Sequence, residues 1–484
     1  MNLKIVTNYI GRILCIEAAF MLPALMIALY KQEASCLYAL AGTMLAMIAL
    51  GIFASRVKTD NKAVYSKEGF VIVALSWIVI SVFGACPFFF SGAIPNFLDA
   101  LFETISGFTT TGASILTDVE AMPMSLLYWR SFTHWLGGMG VLVFMLAIMP
   151  AAKGNGSVIR LMRAESPGPE VGKLVPRLHH TARILYIIYV AMTALEIILL
   201  VCGGMPLFDS IVNSFGTAGT GGFAIKNASI GAYDSAYLQY VIAIFMAAFG
   251  VNFNVYYLVL IRDFKSVFKN GELRLYLGIM LGATAAIAIN TRSMFDSIGE
   301  GIRGSFFQVS SIMTTTGFAT VDFDKWPEFS RCLLLVLMVI GASAGSTGGG
   351  IKVARVQILL KSLRNSIQKY IHPRSVKLIK VDGAVVSSEV TQQVNVFMVV
   401  YIIITVLSVL VVSADDFSFD TTVSSVFACL NNIGPGLGAV GPTGNYHALS
   451  PLSKIVLSAD MLFGRLEIFP MLLLFTPSMW RKGK

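Results

Sequence analysis

Apolar residues in this chain fall in long uninterrupted blocks. Residues 70–90 hold no charged side chain, nor do residues 35–54 or 394–414. A helix needs about 20 such residues to cross a hydrocarbon layer, whereas the core of a soluble protein needs runs of half that length. Two spans come first, 13–30 and 35–54, and the short link 31–34 makes them a hairpin. A pattern then recurs four times: a full span, a half-length apolar segment, a Gly/Thr-rich string, and a second full span.

In the first copy the span is 69–90, the half segment 96–108, the string Thr109-Thr110-Thr111-Gly112-Ala113 and the return 126–149. The second has 184–202, 206–217, Ala218-Gly219-Thr220-Gly221-Gly222 and 237–261. The third has 275–290, 301–313, Thr314-Thr315-Thr316-Gly317-Phe318 and a return from near Arg331. The fourth has 394–414, 419–430, Asn431-Asn432-Ile433-Gly434-Pro435 and 452–475. The chain thus divides into a hairpin, 1–56, and four units, 57–160, 161–270, 271–372 and 373–484.

At roughly 12 residues the half segments are too short to cross. A segment that enters and leaves by one face puts bare backbone at membrane depth, which is tolerated only when buried in protein or lining water. Each unit makes an even number of crossings, so all four share one orientation and are parallel repeats about an axis along the membrane normal. The expected fold is an all-α polytopic membrane protein: an N-terminal two-helix hairpin plus four parallel helix–pore loop–helix repeats around a central cation pore. Four strings on a ring have the geometry of a carbonyl-lined filter, in which oxygens replace a cation's hydration shell without a full charge to trap it. Glycine tolerates the backbone angles that successive aligned carbonyls demand. Gly112, Gly221, Gly317 and Gly434 read as equivalent, each after a Thr or Ile. The filter candidates are Thr110, Thr111, Gly112, Gly219, Thr220, Gly221, Thr315, Thr316, Gly317, Asn432, Ile433 and Gly434. The half helices would aim their negative dipole ends at the ion.

Charge sharpens the topology. The net charge is +9, but Lys and Arg gather in 56–67, 153–183, 262–274, 352–380 and 481–484, while connections such as 117–125 are poor in them. That alternation is the positive-inside pattern. It puts both termini in the cytoplasm and makes membrane lipid, not nucleic acid, the partner. Charged residues make up only 13% against 56% hydrophobic, half the charge of a typical soluble chain. The six cysteines show no CxxC pairing and the five histidines no HExxH cluster. No metal-ligand cluster and no covalent cofactor is expected; the metal is the transported ion, held at the filter residues.

Two features lie below the strings. After the apolar run 333–340 comes Gly341-Ala342-Ser343-Ala344-Gly345-Ser346-Thr347-Gly348-Gly349-Gly350. Each glycine costs a helix about 1 kcal/mol against Ala, so the third return should break near mid-membrane. Lys352 follows Ile351 with no Ser/Thr after it, so the stretch is not a phosphate-binding loop. Arg465 lies near the middle of the last span, where a charge needs water or a partner. It either faces the pore as an electrostatic barrier or pairs with Glu467 or Asp460. Lys352 and Arg355 are either inner-mouth charges or interfacial anchors. Asn252 and Asn254 read as polar packing.

The four-unit layout and the strings TTTGA, AGTGG, TTTGF and NNIGP resemble the Trk/Ktr/HKT superfamily of cation transporters. The length and N-terminal hairpin resemble its bacterial TrkH/TrkG branch. The resemblance covers essentially the whole chain. It implies a potassium path through the four loops, a homodimer, and a cytoplasmic TrkA-type nucleotide-binding regulator, in a bacterial inner membrane. It also implies a gate at the glycine-rich stretch, through Gly341, Gly345, Ser346, Thr347, Gly348, Gly349 and Gly350, which is similar to the intramembrane loop that obstructs the pore in the family. Serine at the first filter position accompanies sodium transport in plant relatives; Gly112 stands there in this chain. The fourth string departs most, with Asn432-Ile433 in place of Thr-Thr.

The leading function is gated potassium uptake. A sodium- or proton-coupled symporter, or a less selective transporter, is the alternative; Glu103, in the first half helix, is its candidate carboxylate, and helix-end packing explains that residue equally well. An intramembrane enzyme lacks any convergent His/Asp/Ser set.

Overall fold

The computed structural model describes residues 1–57, 65–140, 178–373, 378–381 and 384–480. The described residues are helical apart from loops and one short antiparallel strand pair, Lys380–Val381 with Ala384–Val385. The basic segments 153–177 and 481–484, the second half of the first return span and the 160/161 boundary lie outside the described residues.

The N-terminal hairpin begins earlier than its apolar run. Leu3–Phe20 and Leu22–Tyr30 form one 28-residue span, and Ala34–Ser55 returns. Polar residues such as Asn8 disguise its first turns, but Asn8 Nδ2 donates to the Ser55 carbonyl at the end of the partner helix. The two helices cross at Gly11 and Gly51, where a Cβ on either would lie 2.7 Å from the other's carbonyl oxygen. Small residues let membrane helices approach this closely.

Each unit opens with a full-length helix: Ser66–Phe90, Leu178–Cys202, Gly271–Asn290 and Ser388–Val412. The last exposes Val399, Ile402, Ile403, Val406 and Leu410, an apolar stripe at helical spacing that suits lipid. A half helix follows in every unit: Phe97–Phe108, Leu207–Gly219, Ile298–Met313 and Phe419–Leu430. Asn96, Ser297 and Ser418 cap three of them with side-chain oxygens. Pro206 precedes the second. Asp99, Asp209, Glu300 and Asp420 stand in the four first turns, where a carboxylate complements the positive end of the helix dipole.

The return helices differ from expectation. They are Met124–Gly138, Ala236–Phe249, Glu328–Ile340 and Pro451–Arg465, of 13 to 15 residues each. At 1.5 Å per residue each spans about 20 Å, short of the ~30 Å core. Only the third was expected to break, yet all four end short of a full span. After Phe249 the chain turns by 93° into Phe253–Leu260. After Ile340 it forms a loop and resumes as Val353–Ile371. After Arg465 it passes through Glu467 and Ile468, both at positive φ, into Phe469–Leu474. The third ends at its run of glycines; the second and fourth end without a comparable propensity signal.

Candidate ion pathway

Each half helix ends in the same backbone figure. Thr110, Thr220, Thr315 and Asn432 adopt left-handed φ of 55–61°. Two residues later Gly112, Gly222, Gly317 and Gly434 have φ of 77–96°. The equivalent glycine of the second loop is therefore Gly222, not Gly221. Gly221 aligns with Thr111, Thr316 and Ile433, whose amides donate to Ser106, Ser311 and Ala428 as Gly221 N does to Gly216. Gly219 belongs to the last turn of its half helix. The string's three adjacent small residues hid this one-residue offset.

The four loops touch in a closed cycle. A Cβ on Gly112 would overlap the Gly221 carbonyl oxygen, one on Gly222 that of Thr316, and one on Gly317 that of Ile433. A Cβ on Gly434 would lie 2.6 Å from the Thr111 carbonyl oxygen. Glycine is required twice over at this level: for its φ, and because the next loop's carbonyl occupies the side-chain space. Asn432, tolerant of the left-handed region, joins the ends of the cycle by donating from Nδ2 to Thr111 Oγ1 at 3.0 Å. Tyr446 strengthens the same junction. Its amide donates to the Ser114 carbonyl and its hydroxyl to the Gly434 carbonyl, at 2.8 and 2.7 Å.

Glu103 is structural. It pairs with Arg130 at 2.6 Å and accepts from Ser114 Oγ and Ile115 N at 2.9 Å each. Arg130 in turn donates to the Ala224 carbonyl, so the pair buckles the first loop to the second. At the outer rim Asn227 donates to Asp118 and Lys226 to Glu120. These donors hold both carboxyls below their ordinary values.

Beneath the cycle lies the glycine-rich stretch. Gly349 N donates to Thr315 Oγ1 at 2.7 Å, and Ala344 N to buried Glu272 at 2.6 Å. The bent second return receives the stretch: Ser343 N donates to the Gly250 carbonyl and Phe253 N to that of Gly345. Asn252 accepts from Asn254 N and starts the bent segment, as its reading as polar packing requires. A Cβ on Gly348 would lie 2.9 Å from the Thr314 carbonyl, and one on Gly349 would overlap that of Asn431. The stretch is thus pressed against the undersides of the third and fourth loops.

Arg465 joins the same place from the fourth unit. One terminal nitrogen donates to Thr347 O at 2.8 Å and Thr110 Oγ1 at 3.2 Å. The other donates to the carbonyls of Gly137 and Gly138. Those carbonyls close the first return helix, that of Gly137 also accepting from Gly140 N, so the guanidinium caps the helix end. Glu467 pairs instead with Arg355 and, at 3.5 Å, with Lys352, and Asp460 accepts from Ser408. Lys352 and Arg355 are buried parts of this cluster, not interfacial anchors.

Sequence reasoning passed over Arg130, His134 and Lys454, all buried in return spans. Lys454 pairs with Asp99 at 2.7 Å. Charged or imidazole side chains inside apolar spans were the available signal.

Re-entrant half helices, a closed cycle of carbonyl-bearing loops and a lipid-facing exterior define a membrane transport protein for a small cation. The comparisons agree. The family model for TrkH, described as a cation transport protein, matches residues 39–482. The Trk system potassium uptake protein TrkH of Salmonella typhimurium is 37% identical over the full length of both chains. TrkG of Escherichia coli K12 is 35% identical over 99% of both. The crystal structure of the potassium transporter TrkH from Vibrio parahaemolyticus superposes with a TM-score of 0.88 at 31% identity, covering 99% of this chain and 100% of that one. The chain belongs to the TrkH family of cation transport proteins, which are transporters and not enzymes.

Proposed function

We propose that this chain takes up potassium across a bacterial inner membrane, with both termini in the cytoplasm. The ion passes through a filter of backbone carbonyls from the four loops. The observation that carries this reading is the closed cycle, in which each loop's left-handed glycine lies against the next loop's carbonyl. Residues 110–112, 220–222, 315–317 and 432–434 are its members, with Gly219 supporting them from the half helix. The stretch 341–350 is the gate, because it lies directly under Thr315 and Asn431. Arg465 is the barrier and strap beneath. The five parts follow the bounds 1–56, 57–160, 161–270, 271–372 and 373–484. A homodimer works with a cytoplasmic TrkA-type nucleotide-binding regulator, in keeping with the relatives' naming as parts of a Trk system.

Flux into proteoliposomes, K+ against Na+, with and without the nucleotide-loaded regulator, tests the reading. Passive K+-selective flux that the regulator alters is expected; equal K+ and Na+ flux would sink the filter assignment. A coupled symporter is the second reading. Buried Glu17, whose carboxylate oxygens have no hydrogen-bond partner among the described residues, favours it. K+ accumulation driven by an imposed Na+ or pH gradient would establish it.

A further inference from the structure

The four loops are braced from behind in different ways, and the difference singles out one histidine. In the first loop Thr109 Oγ1 bonds back to the Ile105 carbonyl at 2.6 Å and across to Thr111 Oγ1 at 2.8 Å. The third repeats this with Thr314, Ser310 and Thr316 at 2.6 and 2.8 Å. In the fourth, Asn431 takes Thr109's place; Nδ2 donates to the Phe427 carbonyl and to the Tyr401 hydroxyl, both at 2.9 Å. The second loop has glycine at both corresponding places, Gly219 and Gly221, and so carries no side-chain brace of its own. His134, from the first unit's return helix, fills that space. Its backbone carbonyl lies where a Cβ of Gly219 would be, and its ring where a Cβ of Gly221 would be.

The imidazole also bonds at both ends. Nδ1 lies 2.7 Å from the Gly107 carbonyl, and Nε2 accepts from Phe223 N at 3.2 Å. A neutral ring with its proton on Nδ1 serves both partners. His134 thus ties the end of the first half helix to the backbone just past Gly222. We infer that His134 is a positioning residue for ion selection: it supplies from a neighbouring unit the brace that the Thr–Thr pairs supply in the first and third loops, and it holds the Gly221 carbonyl in the filter ring. The inference rests on the filter reading above.

Cation selection depends on how well the carbonyls hold their places, so loosening one of four loops should change selectivity more than total flux. K+ and Na+ fluxes into proteoliposomes are measured separately and expressed as a ratio. A partly unfolded preparation lowers both fluxes alike and leaves the ratio unmoved. His134→Ala should lower the K+/Na+ ratio about tenfold, the scale of one buried hydrogen-bonded partner lost. Gly221→Ala, whose Cβ would meet the ring, should lower it too. The double variant removes ring and clash together, so its loss should be smaller than the product of the single losses. An unchanged ratio in His134→Ala, or strictly multiplicative losses, would overturn the inference. Should His134→Ala not accumulate, Gly221→Ala carries the test alone, a wild-type ratio counting against it. Gly112→Ser is the control. If it shifts the ratio while the His134 and Gly221 variants do not, only the brace is wrong; if none shifts it, the filter reading fails.

Discussion

Arg465 can act by its charge or by its grip, and substitution separates the two. Its hydrogen bond to the Thr347 carbonyl, at 2.8 Å, holds the glycine-rich stretch. A hydrogen bond from a charged donor is worth about 1.5–3 kcal/mol. Losing it should favour a displaced stretch by a factor of roughly 10–150, at tenfold per 1.4 kcal/mol. Arg465→Gln removes charge and most of the grip. Arg465→Lys keeps the charge, but a single nitrogen cannot reach Thr347, Thr110 and both glycine carbonyls in the planar fork. K+ flux into proteoliposomes without regulator is the assay. If the strap dominates, both variants leak at least tenfold above wild type. If the charge alone obstructs the path, Gln leaks and Lys does not. Wild-type flux in a folded Arg465→Gln protein would refute both roles.

Gly112→Ser places a Cβ on the Gly221 carbonyl at a φ of +79°; it should cost at least ~1 kcal/mol of local strain and loosen K+ over Na+ selection. Unchanged relative uptake of the two ions in a potassium-requiring host would count against the filter ring. Deleting residues 344–348 removes the contacts to Glu272, Phe253 and Arg465 and should raise leak; a deletion protein that is folded and equally tight would end the gate assignment. Glu467→Gln leaves Lys352 and Arg355 buried without their counter-charge and should destabilise by about 3–5 kcal/mol. Thermal unfolding in detergent checks this, and a wild-type Tm would show that the cluster has other compensation.

The half helices were legible because their signal is local: a length near half a span, an acid in the first turn and a Gly/Thr string behind. The interruption at 341–350 was legible for the same reason, since five glycines in ten residues break a helix wherever they fall. The breaks after Phe249 and Arg465 were not. Phe-Gly-Val-Asn and Gly-Arg-Leu-Glu carry no comparable breaking signal: the first of these helices ends where Tyr276, Thr347 and Ser343 of the third unit bond to its carbonyls, and the second where Asn432 and residues 466–468 do.

By itself the sequence determined that the chain is a helical protein of several apolar spans, which segments form half-length helices, and which stretches can bring bare carbonyls to their ends. Those properties depend on hydrophobic length and backbone freedom, which neighbouring residues set. Only the tertiary structure decided that Gly222 rather than Gly221 completes the glycine ring, that Arg465 joins the glycine-rich stretch to a helix end, and that His134 stands where the other loops carry a threonine or asparagine. Each is a contact between units far apart in the chain, fixed by how four similar loops pack against one another.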